Sequence, residues 1–226
     1  MKLVVNGTTI PNSSGKVKIN GNSINQLVVN GKTCWFIGGS SLTVTSSKTL
    51  TVGKDIPSYH TIHYCMVGGG GSGACHNATA GGGYAGSVAS GSFTTGDSGS
   101  TIKITIGGGG SGVYPYDNGK SGGTTKINGI KSVSGGHGGY QNSSSYAGNK
   151  QSRTTCGGTG KNGSHNTYGL TNGYGGQSSG FSNGGNSKAL TSAYAGGVGS
   201  GGGGANYTNY AYHSGAGGRG QVNLSW

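Results

Sequence analysis

The chain has 226 residues, 55 of them Gly, and a formal charge of +12 with only three carboxylates, Asp55, Asp97 and Asp117. Three acidic groups so far apart in sequence exclude the paired-carboxylate chemistry of most glycosidases and leave little material for general acid–base catalysis. Hydrophobic residues make up 30% and are scarce after residue 133, so an aliphatic core suits the first part of the chain better than the second. Only 8% of residues are charged, and the glycines gather in runs with tyrosines between them, which is not the pattern of a disordered linker.

In chain order, residues 1–56 read as short strands. Val4–Ile10, Val17–Ile24 and Leu27–Phe36 repeat one unit, a β-branched pair, an Asn-Gly turn and further β residues, which predicts tandem hairpins. Leu42–Val44 and Leu50–Val52 continue the β pattern. Ile62–Val67 then leads directly into Gly68–Gly73, Thr101–Ile106 into Gly107–Gly112, and Thr125–Val133 into Gly135–Gly139, and the final β segment Gln221–Trp226 leaves Gly215–Gly220. The expected division is a β module over 1–56 and a glycine-rich domain over 57–226. The N-terminus lacks the apolar stretch of a signal peptide, and no segment approaches transmembrane length, so synthesis in a cytosol is expected, with no disulfide among Cys34, Cys65, Cys75 and Cys156 unless one forms after release.

The runs restrict their own conformation. Glycine disfavours the α-helix by about 1 kcal/mol per residue, and a glycine sheet has no side chains to pack. Every backbone N–H and C=O must still find a partner. Extended left-handed helices with three residues per turn, bonded to their neighbours, meet both conditions, and six residues then span roughly 19 Å. The predicted fold is mainly β plus polyglycine II: a small hairpin module, then β segments and stacked antiparallel polyglycine II helices with distal loops.

The order of strand, tract and returning tract in Ile62–Val67, Gly68–Gly73 and Gly81–Gly86, repeated in Ile102–Ile106 with Gly107–Gly112, resembles the glycine-rich adhesins that cap the long tail fibres of T-even-type bacteriophages. The resemblance covers roughly 57–226 and is compositional. It implies a virion protein at the distal end of a tail fibre, made in the host cytoplasm. The β module would sit on a tail-fibre shaft protein, expected to be trimeric, with Trp35 and Phe36 as candidates for fibre attachment. Loops between the runs would bind a bacterial outer-membrane protein or lipopolysaccharide.

Successive runs are expected to alternate in direction. That count sends Gly68–Gly73, Gly107–Gly112, Gly135–Gly139, Gly173–Gly176 and Gly196–Gly204 outward. The distal loops, 74–80, 113–121, 140–155, 177–183 and 205–214, carry the receptor-binding candidates Tyr114, Tyr116, Asp117, Tyr140, Tyr146, Arg153, Phe181, Tyr207, Tyr210, Tyr212 and His213. Exposed tyrosines offer rigid contact area at low entropic cost. Residues 161–172 and 186–195, with Tyr168 and Tyr194, are expected on the opposite, β-rich side.

No enzyme, cofactor or metal site is expected. His60, His63, Cys65, Cys75 and His76 lie near one another in sequence, but their spacing is no standard ligand pattern. Gly-x-Gly-x-x-Gly matches carry no information in a chain this rich in glycine. A basic nucleic-acid-binding protein and a purely structural protein are the alternatives. Only Arg153 and Arg219 are available to the first, so no nucleic-acid partner is expected, and no membrane insertion.

Overall fold

The computed structural model describes residues 41–76, 80–141, 192–206 and 213–226, together with the backbone of short strands elsewhere. The described part is mainly β, without a helix among the described residues. Thr61–Val67 alternates outward Thr61 and His63 with buried Ile62, Tyr64 and Met66, the signature of a strand with one face on a core. It pairs antiparallel with Val88–Thr94 on one side and Gln221–Ser225 on the other, and Gln221–Ser225 pairs in turn with Ser41–Val44. A second antiparallel sheet orders Lys131–Val133, Thr125–Ile127, Thr101–Thr105 and Lys48–Thr51. The inward residues of both sheets form one core, with Leu50, Ile56, Ile62, Met66, Ile104, Ile127, Val222 and Leu224 fully or almost fully buried. Strands Ser41–Val44 and Lys48–Thr51 belong to this sandwich, which therefore draws on residues either side of position 56. Nearer the N-terminus, Leu3–Val5 pairs with Thr8–Ile10, Lys18–Ile19 with Asn22–Ser23, and Gln26–Val29 with Lys32–Phe36.

Glycine runs leave the sandwich where its strands end, and their backbone bonds follow a strict cycle. Along Gly68–Cys75 the N–H groups donate in turn to Ser87, Gly123, Gly218, Tyr84, Lys120, Gly215, Gly81 and Asp117, at 2.7 to 3.1 Å. Every third donor returns to the same neighbour, and that neighbour's residue number falls by three each time. Three segments, 81–87, 117–123 and 215–218, thus run antiparallel to the central run. Its carbonyls follow the same rule from the other side. Gly69 and Ser72 accept from Gly136 and Gly139, Gly71 and Ala74 from Gly202 and Ala205, and Gly70 from Gly110. The segments 136–139 and 202–205 advance in step with the central run and are parallel to it.

The surrounding segments also bond to one another. Gly81, Tyr84 and Ser87 donate to Tyr140, His137 and Ser134; Gly119 and Gly122 to Gly139 and Gly136; Gly123 to Gly108; Ser214, Gly217 and Gly220 to Val113, Gly110 and Gly107; Gly215 and Gly218 to Gly203 and Ser200; Gly83 and Gly86 to Gly202 and Gly199. These contacts close a ring around Gly68–Gly73 in which parallel and antiparallel neighbours alternate. The central run is wholly buried. Buried hydroxyls complete the pairing where a carbonyl is out of reach: Ser72 Oγ accepts from Lys120 N at 2.7 Å and Thr125 Oγ1 from Gly107 N at 3.0 Å.

The outward direction expected for Gly68–Gly73, Gly107–Gly112 and Gly135–Gly139 agrees with these bonds. Two details differ. The second returning run already begins at Gly119 rather than at Gly122, because Gly119 and Lys120 both take part in the bonding. Gly196–Gly204, expected as one outward run, is two. Ala193, Gly196 and Gly199 donate to His213, Ala216 and Arg219, so this stretch runs parallel to the returning 213–220 segment. The chain reverses at Val198-Gly199, where Gly199 takes φ 66° over the Val67 side chain, and only then goes outward. Residues 192–195 therefore lie at the end away from the sandwich, not beside it.

Close approach explains why the runs are glycine. A Cβ placed on Gly70 would overlap the carbonyl oxygen of Ser200, whereas one on Gly108 meets nothing within 4 Å. Gly70→Ala should destabilise the fold by about 1–3 kcal/mol or more, and Gly108→Ala by less than about 0.5 kcal/mol. Thermal unfolding of the two variants checks the contrast; equal losses would contradict the close-packed arrangement.

Candidate functional site

The end of the runs opposite the sandwich is held by the same backbone pairing, now between loops. Cys75 N donates to Asp117 O at 3.1 Å, Ala205 N to Ala74 O at 3.0 Å, and Gly81 N to Tyr140 O at 3.1 Å. Val113 and Ser214 grip each other twice: Ser214 N donates to Val113 O, and Val113 N to Ser214 Oγ, both at 2.9 Å. Gln141 N donates to Asn118 Oδ1 at 2.8 Å. A small apolar plug of Cys75, Val113, Ala193 and Ala205 sits beneath.

Aromatic side chains stand on this base. Tyr114 is 66% exposed, Tyr194 53%, Tyr116 47% and Tyr140 42%, which makes them four of the five large apolar side chains most open to solvent among the described residues; the fifth, Tyr59, is on the sandwich. Tyr116 takes φ 64°, a conformation that a bulky residue rarely adopts. Its ring meets the buried His76 edge-on, with centroids 5.4 Å apart. Tyr114 meets His213 in the same manner at 6.1 Å, and His213 Nδ1 lies 3.1 Å from Ser214 O. Between Tyr114, Tyr194 and His213 opens a groove of about 490 Å³, floored by Ala193, Gly215 and Ala216. The rings offer flat apolar faces with hydroxyls at their edges, and the floor offers backbone. Such a surface can bind by stacking and hydrogen bonding.

Of the residues singled out from sequence, Tyr114, Tyr116, Asp117, Tyr140 and His213 are at this end. Tyr146, Phe181, Tyr207, Tyr210 and Tyr212 lie outside the described residues. Arg153 is in the short strand Ser152–Arg153, and Trp35 and Phe36 are in Lys32–Phe36; their side chains also lie outside the description. Tyr194, expected on the sandwich side, forms one wall of the groove instead. A signal for it exists in the triplet Tyr194-Ala195-Gly196, which repeats the Tyr84-Ala85-Gly86 of a returning run. The sequence neighbours His63 and Cys65 remain on the sandwich, while Cys75 and His76 are at the far end of the central run. Among the described residues no three His, Cys, Asp or Glu side chains come together as a metal would require.

Cys65 is disulfide-bonded, the state expected only after release from the cytosol, and its partner lies outside the described residues. Cys75 takes part in no disulfide and is fully buried. Burial pushes its thiol up to about 11 and holds His76 below the usual imidazole value, because both charged forms lose hydration. Cys75 should therefore resist iodoacetamide at pH 8 in the folded protein and react fully once the protein is denatured; peptide mass mapping reads both states.

No curated protein matches the sequence. The model of the glycine-rich domain family matches residues 43–226, a span that takes in both sheets but for Ser41 and Leu42, every described run and the aromatic end. The chain belongs to the glycine-rich domain family.

Proposed function

We propose that the protein is a bacteriophage tail-fibre adhesin that caps the fibre tip and binds a bacterial surface receptor through the loops between its glycine runs. The observation that carries this reading is the segregation of exposed tyrosines: Tyr114, Tyr116, Tyr140 and Tyr194 gather at one end of a rigid bundle, away from the sandwich. Tyrosine is enriched at binding hot spots and on antibody recognition loops, where it supplies large contact area at low entropic cost. The hydrogen-bond cycle of three along Gly68–Cys75 supports treating the runs as polyglycine II helices, since three residues per turn brings every third N–H to the same neighbour. The receptor is an outer-membrane protein or lipopolysaccharide. The tandem hairpins of the N-terminal module, with Trp35 and Phe36, attach to a trimeric shaft at the other end.

The test is adsorption of the labelled full-length protein to intact bacteria, on a panel of strains lacking individual outer-membrane proteins or steps of lipopolysaccharide synthesis. Binding should vanish on the strain lacking the receptor. Tyr114→Ala and Tyr194→Ala should each weaken it by about tenfold or more, the range of an aromatic anchor. Adsorption that survives both substitutions and an exchange of residues 205–214 would falsify the assignment of the tip.

A further inference from the structure

The two sheets of the sandwich divide the positive charge unequally. The sheet formed by Ser41–Val44, Thr61–Val67, Val88–Thr94 and Gln221–Ser225 contains no lysine or arginine. The other carries Lys48, Lys103, Lys126 and Lys131, one on each strand, and all are exposed. Strand register sets Lys48 opposite the buried Ile104 and Lys131 opposite the buried Ile127, on the inward side of the sheet, and brings only Lys103 and Lys126 together on its outer face.

Lys48 and Lys131 are on the edge strands, where lysine blunts unwanted strand pairing. Lys103 and Lys126 are on the two central strands, where that explanation does not apply. Lys126 lies directly opposite Thr105, two residues along the same face from Lys103. The two lysines are thus diagonal neighbours, roughly 7–8 Å apart. No Asp or Glu occurs on any of the four strands. The two carboxylates that flank these strands in sequence are engaged elsewhere: Asp55 accepts a hydrogen bond from Thr51 N at 2.7 Å and Asp97 accepts one from Tyr59 OH. Like charges held together without a counter-charge disfavour the folded state, and an anion placed between them relieves the repulsion.

The rest of this outer face selects among anions. Thr49, Thr101 and Ser132 surround the lysines with exposed hydroxyls. The strands of this sheet contain no arginine for bidentate phosphate contacts and no aromatic ring on which a base could stack. A hydroxyl-rich cationic face of this kind fits an anionic glycan better than a polynucleotide.

We propose that the outer face of the sheet holding Lys103 and Lys126 is a second binding surface, separate from the aromatic tip, for phosphate-bearing polysaccharide. The runs place this face roughly 19 Å behind the tip, so both surfaces can be occupied together.

Binding of the full-length protein to immobilised phosphorylated lipopolysaccharide core oligosaccharide tests this, with the chemically dephosphorylated core and a short DNA duplex as comparison probes. The phosphorylated core should bind, more weakly as salt rises. Lys103→Gln/Lys126→Gln should lower that binding by about fivefold, and Lys103→Gln or Lys126→Gln alone, each lowering it by about twofold, serves should the double variant disturb folding. In a Tyr114→Ala background, which removes the contribution of the tip, the same dependence on Lys103 and Lys126 should persist. Equal binding of the dephosphorylated core, preference for the duplex, or loss with Tyr114→Ala but with neither the double nor the single lysine variants would each overturn the proposal.

Discussion

Everything in this protein depends on how one short backbone segment satisfies its hydrogen bonds. Gly68–Gly73 is buried, lacks large side chains, and can be stabilised neither by helix formation nor by apolar packing. Its neighbours resolve the difficulty by dividing the work: antiparallel segments accept its N–H groups, and parallel segments donate to its carbonyls. The direction of each surrounding run follows from this division, and with it the end at which each loop emerges. The sandwich contributes the conventional part, an aliphatic core that fixes where the strands stop and the runs begin.

The sequence discloses much of this plan. Ile62–Val67 and Thr101–Ile106 alternate clearly enough to be read as strands, and their junctions with glycine tracts reveal which way each tract leaves. Counting reversals then assigns Tyr114, Tyr116 and Tyr140 to a common end. The count fails at 193–204 for a physical reason. A glycine tract has no side-chain period, so nothing in Gly196–Gly204 marks a reversal except Val198 and Ser200, and the left-handed Gly199 that makes the turn looks like any other glycine. Tyr194 is misplaced as a result. Cross-strand relations are equally silent in sequence: Lys103 and Lys126 become neighbours only through the register of Thr105 with Lys126. The ring around the central run cannot be read either, because composition shows that runs stack but not which run touches which.

The same arrangement has kinetic implications. The central run meets partners as distant in sequence as Gly218, and no local pairing completes its bonds. Loop-closure entropy must be overcome several times before any run is satisfied, which favours slow folding with the sandwich as the first stable unit. The C-terminal strand Gln221–Ser225 lies between Thr61–Val67 and Ser41–Val44, so the sandwich itself is complete only when the whole chain is present.

The cycle of three also limits how such a molecule can diversify. Lengthening a run by one or two residues would turn its donors toward the wrong neighbours from that point onward, whereas adding three restores every contact one turn further out. Runs can therefore grow or shrink only in triplets, and only in concert with the neighbours they bond. Loops outside the lattice are free of that arithmetic. Insertions, deletions and recombination are channelled into the exposed end, and a lineage can replace those loops while the glycine frame beneath stays in phase.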